Sequence, residues 1–251
     1  MEMDRLSASV EEACLNAWPA LKEIFYDGWL IRLADGETRR TNSVNVISRG
    51  LRGLDEKIAH CEAVYAAHNL PAYFRIRSND DPALERVLDA RGFRAEAETR
   101  TLFLDFADHA PQAPARAIEL SDRPPSTEWL AAHERFTGRT LTTTEIRRKL
   151  LDLVALPIAF AAARDADGTI VSVAYGALHD GLVSLQWVAT DPALRGQGLS
   201  RATLAALLVW AEGQGAKGAC LQVVADNAPA IRLYERMGFD RELYRYHYRV
   251  L

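Results

Sequence analysis

The sequence predicts an α/β fold, in which helices pack against a sheet. Two features of the second half of the chain support this prediction. The nearly all-apolar run at residues 219–224 has the length and composition of a strand that is buried on both faces. Apolar residues recur at helical spacing on both sides of that run. We therefore expect residues 183–239 to form a strand, a tight turn, a helix, a strand and a helix.

Turn and cap residues mark the boundaries of these elements. Residues 187–189 end a β-rich run, and Pro192 turns the chain before the first helix. That helix stops at Gly213, and Asp226 or Asn227 caps the second helix. The apolar faces consist of Leu204, Leu207, Leu208 and Ala211 in the first helix and of Ala230, Leu233, Tyr234 and Met237 in the second.

The same patterns predict further elements along the chain. Helices are expected at residues 10–18, 54–65, 84–88, 127–136 and 142–154. Strands are expected at residues 29–34, 42–47, 73–76, 101–104, 117–120, 158–163 and 170–178. Residues 107–116 hold two prolines among mostly small residues, which is typical of a linker. We therefore predict two domains, at residues 1–106 and 117–251.

Composition and charge argue against several classes of function. The net charge is −4 and the pI is about 5.9, so the basic footprint of a nucleic-acid-binding protein is absent. The first residues do not form a signal peptide, and the longest apolar run, residues 153–163, is shorter than the roughly 20 residues that span a bilayer. Three widely spaced cysteines predict reduced core residues. We expect a soluble, cytoplasmic monomer or homodimer without membrane partners.

A turn with two glycines opens the helix that follows Pro192. Its residues are Arg195, Gly196, Gln197, Gly198, Leu199 and Ser200. Free backbone N–H groups at a helix start bind anions, and phosphate is the expected guest. The segment contains neither Gly-Lys-Ser/Thr nor a third glycine in G-x-G-x-x-G spacing, so the two familiar phosphate loops do not fit. It resembles the R/Q-x-x-G-x-G/A loop of the GNAT superfamily of N-acetyltransferases, from which only Ser200 departs.

A second segment, downstream, carries the same resemblance. Asn227, Ala230, Leu233, Tyr234 and the Gly-Phe pair at residues 238–239 match the N-x-x-A-x-x-L-Y-x-x-x-G-F pattern of that superfamily. Both motifs occur in the family's order, and the resemblance covers roughly residues 115–251. It implies a GNAT fold, in which a mixed, twisted sheet is flanked by helices, and the use of acetyl-CoA as co-substrate. The element order expected from residue 117 onward, β-α-α-β-β-β-α-β-α-β, is that of the GNAT fold.

The resemblance also assigns roles to individual residues. In the family, the strand before the loop holds the pantetheine arm and the acetyl carbonyl, and the loop amides hold the pyrophosphate. Tyr234 matches the tyrosine that protonates the coenzyme A sulfur. The implied cofactor-binding residues are Val188, Ala189, Thr190, Arg195, Gly196, Gln197, Gly198, Leu199, Ser200, Arg201, Asn227, Ala230 and Tyr234. No metal is expected, because the six histidines show no metal-ligand spacing.

The general base and the acceptor amine are less clear. Gln222 and Gln186 occupy positions where relatives carry a carboxylate, so neither side chain can take a proton. His133 with Glu134, His179 and the 244–248 tail are candidates to border the acceptor pocket. We expect an N-acetyltransferase that acts on a small-molecule amine. The alternatives are a protein or peptide acetyltransferase and a sensor that binds acetyl-CoA without turnover.

The first half resembles a GNAT copy that has lost its cofactor site. Residues 82–93, PALERVLDARGF, align with residues 229–239, PAIRLYERMGF, and Leu88 then stands in place of Tyr234. The loop at residues 48–53 lacks the R-x-x-G-x-G spacing. Two alternatives remain open at this point. Two unrelated α/β domains would give a similar pattern, and residues 1–106 would also suit an interaction module that positions a protein substrate.

Overall fold

The computed structural model of the chain describes residues 2–36, 38–138 and 141–251. Within these residues, the chain forms both helices and strands in each half. In order, they are α1 (Glu2–Ala17), β1 (Lys22–Tyr26), β2 (Trp29–Leu33), β3 (Val44–Val46), α2 (Leu54–Ala67), β4 (Phe74–Arg77), α3 (Pro82–Ala90), β5 (Arg94–Asp105), β6 (Glu119–Ser121), α4 (Thr127–Thr137), α5 (Leu141–Asp152), β7 (Ile158–Arg164), β8 (Ile170–His179), β9 (Leu182–Thr190), α6 (Leu199–Gly213), β10 (Gly218–Val224), α7 (Ala228–Arg236) and β11 (Arg241–Val250).

The chain forms two compact units. The larger unit contains the residues up to Pro19 together with Thr101–Val223 and Asn227–Leu243. The smaller unit contains Ala20–Arg100, Val224–Asp226 and Tyr244–Leu251. Residues 107–116, predicted as the linker, contain neither helix nor strand. Each compact unit is made of three segments that are separate in sequence. The domain limits of 1–106 and 117–251 therefore stay a prediction.

The larger unit is built on a mixed sheet in the strand order β5-β10-β9-β8-β7-β6. Strand β9 pairs in parallel with β10 and antiparallel with β8. Val183 and Leu185 of β9 pack with the leucines of α6 and with Ile231 of α7 in one core. Helices α1 and α4 contact β8 and β9 on the other face, where Cys14 approaches Ser184. The sheet is therefore covered by helices on both faces.

The element order of the second half agrees with the prediction. From β6 onward the chain runs strand, two helices, three strands, helix, strand, helix, strand. This is the order expected for a GNAT fold, and the predicted α/β class with a mixed sheet is confirmed. The first helix is longer than predicted, since α1 extends from Glu2 to Ala17.

In the smaller unit, the strands lie in the order β1-β2-β3-β4-β11. Its β3 and β4 pair in parallel and are joined through α2, as β9 and β10 are joined through α6. Trp29, Ile31 and Phe74 pack against Ile58 of α2 and Leu88 of α3. The repeated strand-helix-strand connection agrees with the predicted GNAT-like character of the first half. The sequence did not predict β1, because most of its side chains are exposed and its residues show no alternation of apolar and polar side chains.

Candidate active site

The site is organised around an opening between β9 and β10. Their parallel pairing begins at Leu182 with Gly218 and ends at Leu185 with Leu221. Strand β9 nevertheless continues to Thr190 and β10 to Val224. Within the described residues, no strand pair joins β9 and β10 beyond Leu185 and Leu221. A chain of backbone donors and acceptors is therefore available to an extended ligand.

A bulge in β9 lies directly beside this opening. Gln186 pairs with Tyr175 of β8 and Ala189 pairs with Val173, so Trp187 and Val188 together face a single residue. Trp187 has a φ of 53°, in the left-handed region. A bulge of this kind inserts one extra residue and re-aims the backbone around it. The predicted cofactor-binding residues at 188–190 thus follow an irregular point of the strand.

The predicted phosphate loop forms the start of α6. Gly196 and Gly198 have φ values of 80° and 75°, a conformation that residues with a Cβ rarely adopt. The side chain of Leu199 is buried, whereas the loop residues from Arg195 to Gly198 are exposed. Arg116 donates to the carbonyl of Gln197 at 3.2 Å. The loop therefore presents the free N–H groups of a helix start to solvent beside positive charge.

A chain of hydroxyl groups ties this loop to β9. Ser200 Oγ lies 2.6 Å from Thr190 Oγ1, which lies 2.8 Å from Ser172 Oγ. Thr203 of α6 donates to Ser172 at 3.2 Å. Ser200 is the residue at which the loop departs from the Gly or Ala of the GNAT pattern. Its side chain provides a hydrogen bond that neither of those residues can make.

Helix α7 supplies the remaining predicted residues. Asn227 caps it, accepting from the N–H of Ala230 at 3.3 Å, as the sequence predicted. Tyr234 is 7% exposed and packs edge-on against Phe239 at 6.0 Å. Burial raises the pKa of Tyr234 to about 12, so its hydroxyl keeps its proton at neutral pH. Tyr234 lies in the same core as the strand residue Leu185.

An open cleft adjoins the loop on the side of α7. It is bounded by Arg201 of α6, by Arg236 near the end of α7 and by residues 109–112. His109 packs so closely on Gly238 that a Cβ there would lie 2.7 Å from its Cγ. The glycine of the Gly-Phe pair is thus required by a residue of the predicted linker. Sequence reasoning missed Arg116, Arg236 and His109, because no local pattern connects them with the loop.

The structure separates His133 and His179, the two histidines predicted to border the acceptor pocket. His133 is 7% exposed, and its ring centroid lies 4.7 Å from that of Trp187. His179 pairs with Leu182 at the opposite end of β9, five residues before Trp187 or about 17 Å along the strand. Gln186 is buried and donates to Ser184 at 2.9 Å. Of the two histidines, only His133 therefore lies against the bulge.

In the smaller unit, the loop before α2 is closed by the chain's own carboxylate. Asp27 accepts from the N–H of Leu51 at 2.9 and 3.0 Å and from the N–H of Arg52 at 2.9 Å. The buried Lys57 amine lies 3.3 Å from the same carboxylate. At Gly50, a Cβ would approach the Asp27 carbonyl oxygen to 2.1 Å. The hydrogen bonds from Leu51 and then Arg52 lower the pKa of Asp27.

Two further searches concern metals and membranes. In the described parts of the chain, no three His, Cys, Asp or Glu side chains are grouped so that they could hold a metal ion. No helix within residues 2–36, 38–138 and 141–251 is long and apolar enough to cross a bilayer. The three cysteines, Cys14, Cys61 and Cys220, are buried, and Cys14 Sγ lies 3.9 Å from Cys220 Sγ.

The fold and this site define an acetyltransferase of the GNAT superfamily. The family described as "Probable histone acetyltransferase Rv0428c C-terminal" matches residues 8–249. Because the match covers nearly the whole sequence, the chain belongs to that family.

Individual relatives and solved structures agree with this assignment. An "Uncharacterized N-acetyltransferase YobR" of Bacillus subtilis is 24% identical over 96% of this chain and 97% of that protein. A mycothiol acetyltransferase of Clavibacter sepedonicus is 30% identical over 64% of this chain and 56% of that protein.

Two solved structures share the fold. A GCN5-related N-acetyltransferase from Kribbella flavida has a TM-score of 0.69 at 18% identity, covering 98% of this chain and 94% of that one. A tandem GNAT protein from the clavulanic acid biosynthesis pathway has a TM-score of 0.68 at 16% identity, covering 83% and 74% of the two chains.

Proposed function

We propose that this protein transfers the acetyl group of acetyl-CoA to the primary amine of a small molecule by direct attack. The observation that carries the proposal is the opening between β9 and β10, which leads to the two-glycine start of α6. An extended thioester with a pyrophosphate at its far end suits this combination of strand backbone and helix start. Acetyl-CoA supplies the activated acetyl group when it is bound.

The coenzyme is proposed to lie along β9 and across the loop. The backbone of Val188, Ala189 and Thr190 holds the pantetheine arm and the acetyl carbonyl. The N–H groups from Gly196 to Ser200 hold the pyrophosphate, and Arg201 adds positive charge. At α7, the side-chain amide of Asn227 and the small Ala230 border the pantetheine. The nucleotide end reaches the cleft between Arg201 and Arg236.

Tyr234 is proposed to return a proton to the departing sulfur. Its buried hydroxyl remains protonated because its pKa is raised to about 12. A thiol has a reference pKa near 8.5, below that of Tyr234, so the complete transfer is uphill. The hydroxyl is therefore proposed to donate a hydrogen bond to the sulfur as the bond to the acetyl carbon breaks, and to recover from water any proton that it passes on. Positioned proton transfer of this kind contributes about 10²–10⁴ in rate.

The acceptor must bring or generate an unprotonated amine. Gln186 and Gln222 are neutral amides, so the strands on the two sides of the opening offer no carboxylate at these positions. The proton is proposed to leave through water or before the amine binds. A small-molecule acceptor is supported by the similarity to a mycothiol acetyltransferase, whose named substrate is a small molecule. The family description, which names a histone acetyltransferase, supports a protein acceptor as the alternative.

The proposal is tested by incubating the full chain with acetyl-CoA and with pools of amines and peptides. Mass spectrometry then identifies every acceptor that gains an acetyl group, and a thiol reagent follows coenzyme A release. We expect acetylation of small amines, with Tyr234→Phe as the matched control that keeps the ring. Preferential acetylation of peptides would favour the protein acetyltransferase. Binding of acetyl-CoA with no acceptor in either pool would favour the sensor.

A further inference from the structure

Trp187 occupies a backbone conformation that its side chain disfavours. Its φ of 53° lies in the left-handed region, which bulky residues rarely enter. Asp and Asn tolerate this region better than other side chains do. Among the described residues, the non-glycine residues with positive φ are Asp27, Asp35, Asn69, Ala97, Asp180 and Trp187. The one aromatic residue in this set is the one in the bulge beside the opening.

Four rings surround the Trp187 side chain. Their centroids lie 4.7 Å away for His133, 4.9 Å for Trp18, 5.8 Å for Tyr175 and 6.2 Å for Trp129. We call these four residues the aromatic clamp. They come from the segment after α1, from α4 and from β8, and all belong to the larger unit. Side chains from several elements thus pack against Trp187 in the bulge.

Packing, and not a hydrogen bond, holds Trp187. Its indole N–H is buried and finds no acceptor in the part of the chain that the structure describes. Two clamp members are themselves anchored by hydrogen bonds. The Trp129 indole donates to the carbonyl of Ala161 at 3.0 Å, and the Tyr175 hydroxyl donates to the carbonyl of Ala17 at 2.9 Å.

We infer that the aromatic clamp keeps the bulge in its strained conformation and thereby positions the backbone of Val188 and Ala189 for acetyl transfer. This inference rests on the proposed function of that backbone. A strained conformation persists only where its surroundings over-determine it, and the four rings provide that restraint. Trp18 and His133 are then positioning residues, although they lie outside the phosphate loop and α7. When the clamp is weakened, the reacting groups lose alignment, while the loop that governs coenzyme affinity stays intact.

The test uses the full chain and substitutions at two clamp positions. Trp18→Leu should lower kcat at least about tenfold and leave the Kd for acetyl-CoA within about threefold, because misalignment acts on the transfer step. Trp18→Phe keeps a ring and should recover part of the loss. Trp29→Leu, which removes a buried indole from the smaller unit, is the matched control and should leave kcat unchanged. A folded Trp18→Leu variant with wild-type kcat would overturn the inference.

His133 separates ring packing from proton transfer. His133→Phe preserves a stacked ring and should retain more activity than His133→Leu. Equal losses in the two variants would mean that the imidazole itself is needed and would reject the positioning role of His133.

Thermal unfolding tests the strained backbone without any assay of activity. Trp187→Gly and Trp187→Ala both remove the ring, but only glycine adopts positive φ without penalty. If the rings hold the strained backbone, the alanine variant leaves positive φ once the ring is gone and should melt no lower than the glycine variant. A lower melting temperature for the alanine variant would mean that the strain persists without the clamp and would overturn the inference. If the unaltered chain acetylates no amine, the proposed function fails instead. The melting comparison still reports on the clamp in that case, so the two failures are distinguishable.

Discussion

Gly198 and Gly213 flank the same helix and differ in backbone conformation. Gly198 lies directly before α6 and has a φ of 75°. Gly213 is the last residue of the helix, and its φ is not positive. A Cβ built on either residue meets nothing within 4 Å. Replacing each by alanine therefore adds a methyl group in open space. The difference between the two variants measures the backbone conformation alone.

The expected magnitudes follow from that conformation. A left-handed residue with a Cβ costs about 1–2 kcal/mol, so Gly198→Ala should lower the free energy of unfolding by about this amount. Gly213→Ala should raise the free energy of unfolding by about 0.5–1 kcal/mol, because alanine stabilises a helical conformation more than glycine does. If the loop rotates to relieve the strain, its N–H groups leave their positions. A cost of 1–2 kcal/mol then appears as a loss of about 5–30-fold in acetyl-CoA affinity.

Denaturant unfolding and titration calorimetry measure these two quantities on the same samples. Gly198→Val, with a branched side chain, should give a larger loss of affinity than Gly198→Ala. Gly213→Ala should bind acetyl-CoA as the unaltered chain does. Wild-type affinity in both Gly198 variants would refute the assignment of this loop to the pyrophosphate.

Three further predictions concern the proton donor and the smaller unit. Tyr234→Phe should bind acetyl-CoA almost normally and lose about 10²–10⁴ in turnover, and turnover equal to that of the unaltered chain would reject the role of Tyr234. In the unaltered enzyme, ionisation of Tyr234 should cause no decline in turnover below about pH 10. Asp27 has a lowered pKa in the folded chain, so its stabilising contribution is present above the unfolded pKa of about 3.9 and is lost as the pH falls through the folded value. Asp27→Asn should therefore weaken the acid dependence of unfolding, with Asp35→Asn as the turn control, and an unchanged pH profile would contradict this account. Calorimetry should give one acetyl-CoA per chain, because the Asp27 carboxylate already accepts from the N–H groups before α2. A second binding site would contradict the hypothesis that the first half has lost its cofactor site.

Much of the structure of the second half follows from local sequence. Alternating and helical spacings predicted the strand and helix order from residue 117 onward, because burial of one face leaves a period in the sequence. The two glycines at positions 196 and 198 and the cap at Asn227 are also local features, and both are found as expected. Each depends on backbone conformation over a few residues, so a single segment carries the whole signal.

The tertiary structure alone decided the features that depend on distant residues. The opening between β9 and β10 begins where their pairing stops at Leu185. The residue type at that position does not predict it. Helix α1 belongs to the same compact unit as the candidate site, although about 80 residues of the other unit follow it in sequence. Asp27 closes the loop before α2 across an interval of 24 residues. Such contacts are set by packing between segments far apart in the chain, and neither periodicity nor a short motif records them.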